Sequence, residues 1–385
     1  MRTVLAGGRV LTPDGELRPA GVVIEDGAVV SVEEGAGGWE GEVVDVGGLT
    51  IAPGFIDLHV HGGGGLALAT RDPQEMEAYA RWVVAHGVTS FLATICAGSL
   101  ESGLEFVRTA ARVSSEIPGG ANLLGLNLEG PFVSGERRGA LPKGWPQPPD
   151  LRVFDGLAQA AAGRIKVMTM APELPGAARM IRAAVEAGVT VSVGHTDAGH
   201  EAALQGFEAG ATHITHGFNA MRAFHHRDPG PIGAALRCHK VTVEVIADGV
   251  HLHPATVELL VRSLDAGRVA LVTDGVPPAG LESGVFRIGA DEAHLAEGAV
   301  RLPDGTLAGS AATMDAVVRN VVTWGCADLA AAVRMASAVP ARVLGLAHRK
   351  GAIAPGYDAD LVGLTGDLQV AMTWVCGRPV YRRQP

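Results

Sequence analysis

Cysteine is scarce in this chain of 385 residues: Cys96, Cys238, Cys326 and Cys376, all far apart. No C-x-x-C pair exists, which excludes a zinc knuckle, a paired redox motif and a small disulfide-stapled scaffold. Buried free thiols in a reducing compartment are the expectation. Long apolar runs are also missing. No segment reaches the roughly 20 uninterrupted apolar residues of a membrane span. Met1-Arg2-Thr3-Val4-Leu5 lacks the apolar core of a signal peptide, so a cytoplasmic protein with no membrane partner is expected. Only four of the 31 basic residues are lysine; with abundant alanine and glycine, this reflects genome base composition. The formal charge of −10 argues against a general nucleic-acid binder, which would carry a basic surface. It leaves room for a local basic pocket that takes an anionic small molecule.

What is present describes a folded globular chain. Hydrophobic residues make up 47% and charged residues 19%, and the 53 glycines imply many tight turns. The ends read as short strands and turns. Val22-Val23-Ile24, Glu25-Asp26-Gly27 and Ala28-Val29-Val30 spell a hairpin, and Asp360–Leu364 and Val370–Val375 repeat the style near the C-terminus. A small β domain, residues 1–52 plus 348–385, built from both ends is expected around a different middle, 53–347. That middle alternates. Apolar runs at 55–59, 88–94, 123–128, 165–170, 189–193, 211–215, 241–246 and 269–273 are separated mostly by alanine-rich helical stretches, such as 74–86, 100–114, 176–187 and 254–266. Eight β/α units imply an α/β fold of the TIM (β/α)8 barrel type. An open doubly wound sheet is the alternative, but no G-x-G-x-x-G opens a helix after the first strand.

In a barrel, chemistry gathers where the strands end. His59-Val60-His61 closes the first run, and residues two apart on a strand share a face. Glu129 ends the third run, His195 follows the fifth, His216 the sixth and Asp274 the eighth. Any one of these alone is more often structural than functional. Six at matching strand ends are not explained by core packing. Imidazoles with carboxylates suit one or two divalent ions: zinc, iron, cobalt or manganese. A carboxylate bridging two ions roughly 3.5–4 Å apart supports a strong nucleophile near neutral pH.

These motifs resemble the amidohydrolase superfamily, and within it the N-acetylglucosamine-6-phosphate deacetylase family. The strings Leu128-Glu129-Gly130-Pro131-Phe132 and His216-Gly217-Phe218-Asn219-Ala220-Met221 carry the family likeness; His59-x-His61 carries only the superfamily's. The resemblance implies a metal-dependent hydrolase that releases acetate from N-acetylglucosamine 6-phosphate. It implies Glu129, His195 and His216 around a principal ion. His59 and His61 would hold a second, with Glu129 bridging and Asp274 as both neighbour and catalytic base. It further implies sugar-phosphate contacts from Ala140, Asn219, Ala220 and His251, an acetyl pocket lined by Leu307 and Ala308, and a homodimer in which Arg227 reaches the neighbouring site. Lys166 reads as structural, and His213 stays unassigned. Two departures bear on the sugar. Leu141 stands where the family commonly has a histidine, and Leu66-Ala67-Leu68-Ala69 follows the glycine run without the family's acidic residue. Another superfamily enzyme, such as a cyclic amidase or deaminase, and a deacetylase of a different N-acetyl amino sugar are the competing readings. A phosphate-ester hydrolase on the same metals and a catalytically silent scaffold are weaker ones.

Overall fold

The computed structural model describes residues 2–35, 38–289 and 291–384. Met1 and Pro385, the ends of the expected small domain, lie outside them. Eight parallel strands form one continuous sheet in chain order: β1 (Phe55–Val60), β2 (Val88–Ile95), β3 (Asn122–Glu129), β4 (Ile165–Met170), β5 (Thr190–Val193), β6 (His213–Ile214), β7 (Thr242–Val245) and β8 (Val269–Leu271). The sheet closes just beyond the last strand. The Asp274 amide donates to the His59 carbonyl at 2.8 Å, and the His61 amide donates to the Gly275 carbonyl at 2.7 Å. The expected β/α barrel is therefore present.

The pattern of β2 shows why these runs form barrel strands. All eight of its residues are buried, as a parallel strand covered on both faces requires. Polar residues inside such strands must find partners. The Asn127 amide group donates to the Leu58 carbonyl, and hydroxyls of Thr169, Thr215 and Ser192 form a chain at 2.8 and 2.6 Å. Helices cover the outside. The helix Leu100–Arg112 begins at Ser99, whose hydroxyl accepts from the Ser102 amide, and Ser102 returns a bond to Ser99. Such a cap stabilises a helix by about 1 kcal/mol. Its other end is tied down by Arg164, whose guanidinium donates to the Ala110 and Val113 carbonyls.

Both ends of the chain build sheets beside the barrel. One six-stranded sheet pairs Arg9–Leu11 and Thr50–Pro53 with Leu361–Leu364 and Val370–Val375. A four-stranded sheet contains Arg2–Ala6, Gly21–Glu25, Ala28–Glu33 and Glu42–Asp45. Leu5, Val22, Ile24, Ile51, Leu361 and Trp374 share one apolar core between them. The hairpin turn at Asp26-Gly27 has φ of 49° and 85°, the double positive φ of a type I′ turn. A four-stranded meander that the sequence did not announce (Gly284–Ile288, Asp291–Ala296, Ala299–Arg301, Leu307–Ser310) rises after β8 and overhangs the barrel mouth. Among the described residues, no helix is long and apolar enough to cross a membrane.

Candidate metal centre and substrate cavity

The six residues expected to carry chemistry meet at one rim. His59 is the penultimate residue of β1, and His61 lies one residue beyond the strand, before a two-residue strand Gly62–Gly63 that pairs with Leu66–Ala67. The glycine run is thus an ordered turn as well as an opening. At Gly63 a Cβ would sit 2.4 Å from the Trp82 ring, so the turn packs flat against that indole. Glu129 is the last residue of β3. His195, His216 and Asp274 each follow their strands with φ of 46°, 27° and 48°. For residues with a Cβ this left-handed backbone costs about 1–3 kcal/mol each, a strain that persists only where the surroundings over-determine it.

Glu129 is the hub. Its Oε1 lies 2.9 Å from His195 Nε2, 3.1 Å from His216 Nε2 and 3.4 Å from His59 Nε2. Its Oε2 lies 3.3 Å from His61 Nε2. Asp274 Oδ1 is 3.5 Å from His59 Nε2 and 3.3 Å from His61 Nε2. Burial disfavours the charge on Glu129, but the His59 and His195 imidazoles outweigh it and hold the carboxyl well below its usual range. Asp274 shows the same balance: burial raises it, and the His61 hydrogen bond prevails and lowers it. Both are carboxylates at neutral pH.

The donor set suits divalent cations. The Nε2 atoms of His195 and His216 face each other at 3.1 Å and both face Glu129 Oε1, so a ring proton or a bound cation has to stand between them. His59 Nε2 is fully buried and has no hydrogen-bond partner; it points at Glu129 and Asp274. Such an orphan is costly unless something electrophilic fills the space. His59, Glu129 and His216 form one group whose donor atoms lie within 4.8 Å of one another, and His59, His61 and Asp274 form another.

Two supporting carboxylates escaped the sequence reading. Glu244, inside β7, accepts from His59 Nδ1 at 3.0 Å, from His213 Nε2 at 3.0 Å and from the His216 amide at 3.0 Å. Burial opposes its charge, yet the two imidazoles drive it far below the usual carboxylate range. Being an acceptor only, Glu244 forces the His59 proton onto Nδ1 and leaves Nε2 free to ligate. This also accounts for His213, which serves Glu244 rather than an ion. The available signal was a charge in the middle of Thr242-Val243-Glu244-Val245, a strand otherwise apolar or β-branched. Asp57, in β1, accepts from the Thr273 hydroxyl at 2.6 Å and from the His59 amide. It stitches β1 to the segment after β8, and complete burial pushes it up to about 7.

Above the cluster opens a cavity of about 1000 Å³. Ala140, Asn219, Ala220, His251, Leu307 and Ala308 all line it, with His61, Glu129, His195, His216 and Asp274 at its floor. His251 donates through Nδ1 to Asp248 at 2.7 Å, and the Ser310 hydroxyl donates to the same oxygen at 3.0 Å. Burial works against a charge on His251, but Asp248 outweighs it and raises the imidazole above its ordinary value. Leu141 lines the cavity while packing with Ala97, Val133 and Trp145. Arg227 does not line this chain's cavity; it is exposed, with Nη1 2.9 Å from His226 Nε2. Lys166 lies at the start of β4, away from the cluster, as a structural residue would. Cys96, expected among structural thiols, instead faces the cavity with its sulfur 3.9 Å from His61 Nδ1.

Residues 50–380 match the amidohydrolase family. The chain belongs to the amidohydrolase family. Within that family it is 36% identical to an N-acetylglucosamine-6-phosphate deacetylase of Bacillus subtilis, over 94% of this chain and 93% of the relative. It is 33% identical to an N-acetylgalactosamine-6-phosphate deacetylase of Escherichia coli O157:H7, over 98% of this chain and 99% of that one. The solved structure of a point mutant of N-acetyl-D-glucosamine-6-phosphate deacetylase from Mycobacterium smegmatis, in complex with N-acetyl-D-glucosamine-6-phosphate, superposes with a TM-score of 0.92. It is 36% identical and covers 98% of this amidohydrolase and 99% of its own chain.

Proposed function

We propose that this amidohydrolase is a metal-dependent deacetylase that hydrolyses N-acetylglucosamine 6-phosphate to glucosamine 6-phosphate and acetate, a step of amino-sugar breakdown. The observation that carries this reading is the convergence of four imidazoles on Glu129, with Asp274 beside them at the floor of one cavity. Full-length relatives with that activity support it.

Glu129, His195 and His216 would hold a principal ion, and His59 and His61 a second beside Asp274. A bound divalent cation supplies Lewis acidity toward the acetamide carbonyl and acidifies water. The remaining work falls to the chain. Asp274, ionised and almost buried, takes a proton from the attacking water and returns it to the departing amine, which leaves poorly unless protonated. Glu244 and Asp57 hold His59 in position from behind. His251, fixed by Asp248, offers Nε2 to a sugar hydroxyl or phosphate. Asn219 and Ala220 would take the sugar phosphate, Ala140 would add a backbone contact, and Leu307 and Ala308 would enclose the acetyl methyl.

Arg227 would supply a bidentate phosphate contact, but from its exposed loop it would do so across a homodimer, into the partner's cavity. A cytoplasmic place of action follows from the substrate, because a phosphorylated sugar does not cross membranes unaided.

A specific observation keeps the sugar epimer open to test. Leu141 offers no hydrogen bond where a histidine is common, and a galactosamine-type relative is 33% identical. Acetate release from N-acetylglucosamine 6-phosphate, N-acetylgalactosamine 6-phosphate and unphosphorylated N-acetylglucosamine decides the matter. The proposal expects the first to be turned over best and the unphosphorylated sugar worst. Equal turnover with and without the phosphate would overturn it.

A further inference from the structure

Three loops meet beside His195 at the barrel mouth. The loop after β3 carries Arg137, whose carbonyl accepts from His195 Nδ1 at 2.9 Å. The loop after β5 carries Asp197, two residues past His195. The segment after β6 runs from Asn219-Ala220 through Arg222 into a short hairpin. There the His225 and Asp228 backbones exchange bonds at 3.1 and 3.0 Å, with Arg227 in the turn. Backbone bonds fix the start of this segment: the Thr196 amide donates to the Ala220 carbonyl at 3.1 Å, and the Arg222 amide to the Thr196 carbonyl at 3.0 Å. Among the described residues, the hairpin itself is tied to the His195 loop through side chains.

Arg222 makes that tie. Its Nη2 donates to Asp197 Oδ2 at 2.7 Å and its Nη1 to Asp228 Oδ2 at 3.1 Å. The other Asp197 oxygen accepts from Arg137 Nε at 2.8 Å. Alternating charges, Arg137–Asp197–Arg222–Asp228, therefore run from the support of His195 to the neighbour of Arg227. Asp197 is a fixed anchor in this chain, because Glu173 accepts from its amide at 2.7 Å and from the Thr196 hydroxyl at 2.5 Å. Hydrogen bonds from Arg222 and then Arg137 hold the Asp197 carboxyl below its ordinary value. One exposed ion pair would position little. Here both oxygens of Asp197 and two nitrogens of Arg222 are engaged at once, and a network of that kind fixes direction as well as distance. Neither Arg222 nor Asp197 lines the cavity.

We propose that Arg222 is a positioning residue for phosphate recognition: by bridging Asp197 and Asp228 it holds the hairpin that presents Arg227 in register with the His195 loop. The inference rests on the deacetylase reading, in which Arg227 contacts the sugar phosphate. Selectivity for the phosphorylated sugar then depends on a side chain that itself touches no substrate. The metal cluster does not depend on it, since His195 keeps its bonds to Glu129 and to the Arg137 carbonyl.

The test is a double-mutant cycle on the purified full chain: parent, Arg222→Gln, Arg227→Ala and the double variant, with Arg222→Lys as the conservative control. Acetate release from N-acetylglucosamine 6-phosphate gives kcat and KM; metal content and melting temperature are read on the same samples. Arg222→Gln should raise KM about threefold to tenfold, the worth of two exposed ion pairs, with kcat and metal content like the parent's. Arg222→Lys should keep part of the parent's KM, because an ammonium can still pair with one of the two carboxylates. In the Arg227→Ala background, Arg222→Gln should change KM no further, since no guanidinium is left to place. An equal further rise in that background overturns the proposal, because Arg222 then acts independently of Arg227. An unchanged KM in Arg222→Gln, or a loss of kcat and metal content in its place, also overturns it. An Arg227→Ala chain with the parent's KM removes the role that Arg222 would support and leaves the deacetylase reading standing. A parent that turns over N-acetylglucosamine equally well without the phosphate overturns that reading itself.

Discussion

Replacing Glu244 by glutamine tests the architecture behind the metal cluster. The side chain keeps its shape and loses its charge. Three donors converge on the carboxylate: His59 Nδ1, His213 Nε2 and the His216 amide, each at 3.0 Å. A carboxylate can accept all three; a glutamine must turn an NH2 toward at least one of them. A buried donor left facing a donor costs about 1–3 kcal/mol. One oxygen takes His213 alone and the other takes both His59 and the His216 amide; whichever way the amide turns, the negative charge behind His59 is lost, so the loss should appear in ion binding. Removing the outer partner of a ligating histidine weakens metal affinity about 10–100-fold, which corresponds to about 1.4–2.8 kcal/mol. The assay is competitive metal titration with a chromophoric chelator, resolving the two binding steps, with unfolding by denaturant followed in parallel. The step that depends on His59 should weaken most, because His59 Nδ1 loses its charged acceptor. Unchanged affinity at both steps, with glutamine accommodated at no cost in stability, would show that Glu244 does not support the ion site.

Asp274→Asn should lower kcat for acetate release about 10²–10⁴-fold, the range of a lost general base, with a smaller change in KM; a KM effect alone would make Asp274 a binding group. Arg227→Ala should raise KM for the phosphorylated sugar by roughly 10–100-fold, the worth of a charge-assisted hydrogen bond of about 1.5–3 kcal/mol, without changing metal content. Mixed dimers of Arg227→Ala and Asp274→Asn chains should recover activity in one of their two sites if the arginine acts across an interface. Asp315 is held down to about 2, burial being outweighed by its hydrogen bond from His86 at 3.0 Å. Its unfolded value is 3.8, so it contributes about 2 kcal/mol above that pH, lost as the pH falls through about 2. Denaturant unfolding of parent and Asp315→Asn should differ by about that amount at pH 7, and the gap should narrow below pH 4; a gap independent of pH would assign the effect to packing.

Much of the site was legible because its signals are local. His59 and His61 are two apart on a strand, and each of the remaining candidates follows an apolar run; strand periodicity alone puts such residues at one end of a barrel. The same periodicity exposed the eight strands. Sequence by itself therefore determined the alternating architecture, the identity of the cluster and, through Leu141, a question about the sugar. Only the tertiary structure decided what stands behind and beside that cluster. Glu244 meets His59 across 185 positions and Asp57 meets Thr273 across 216, and no local pattern says which buried carboxylate will face which imidazole. Cys96 looked like a structural thiol for the same reason: its neighbours, His61 and Glu129, come from the two adjacent strands, and strand adjacency exists only once the sheet has closed.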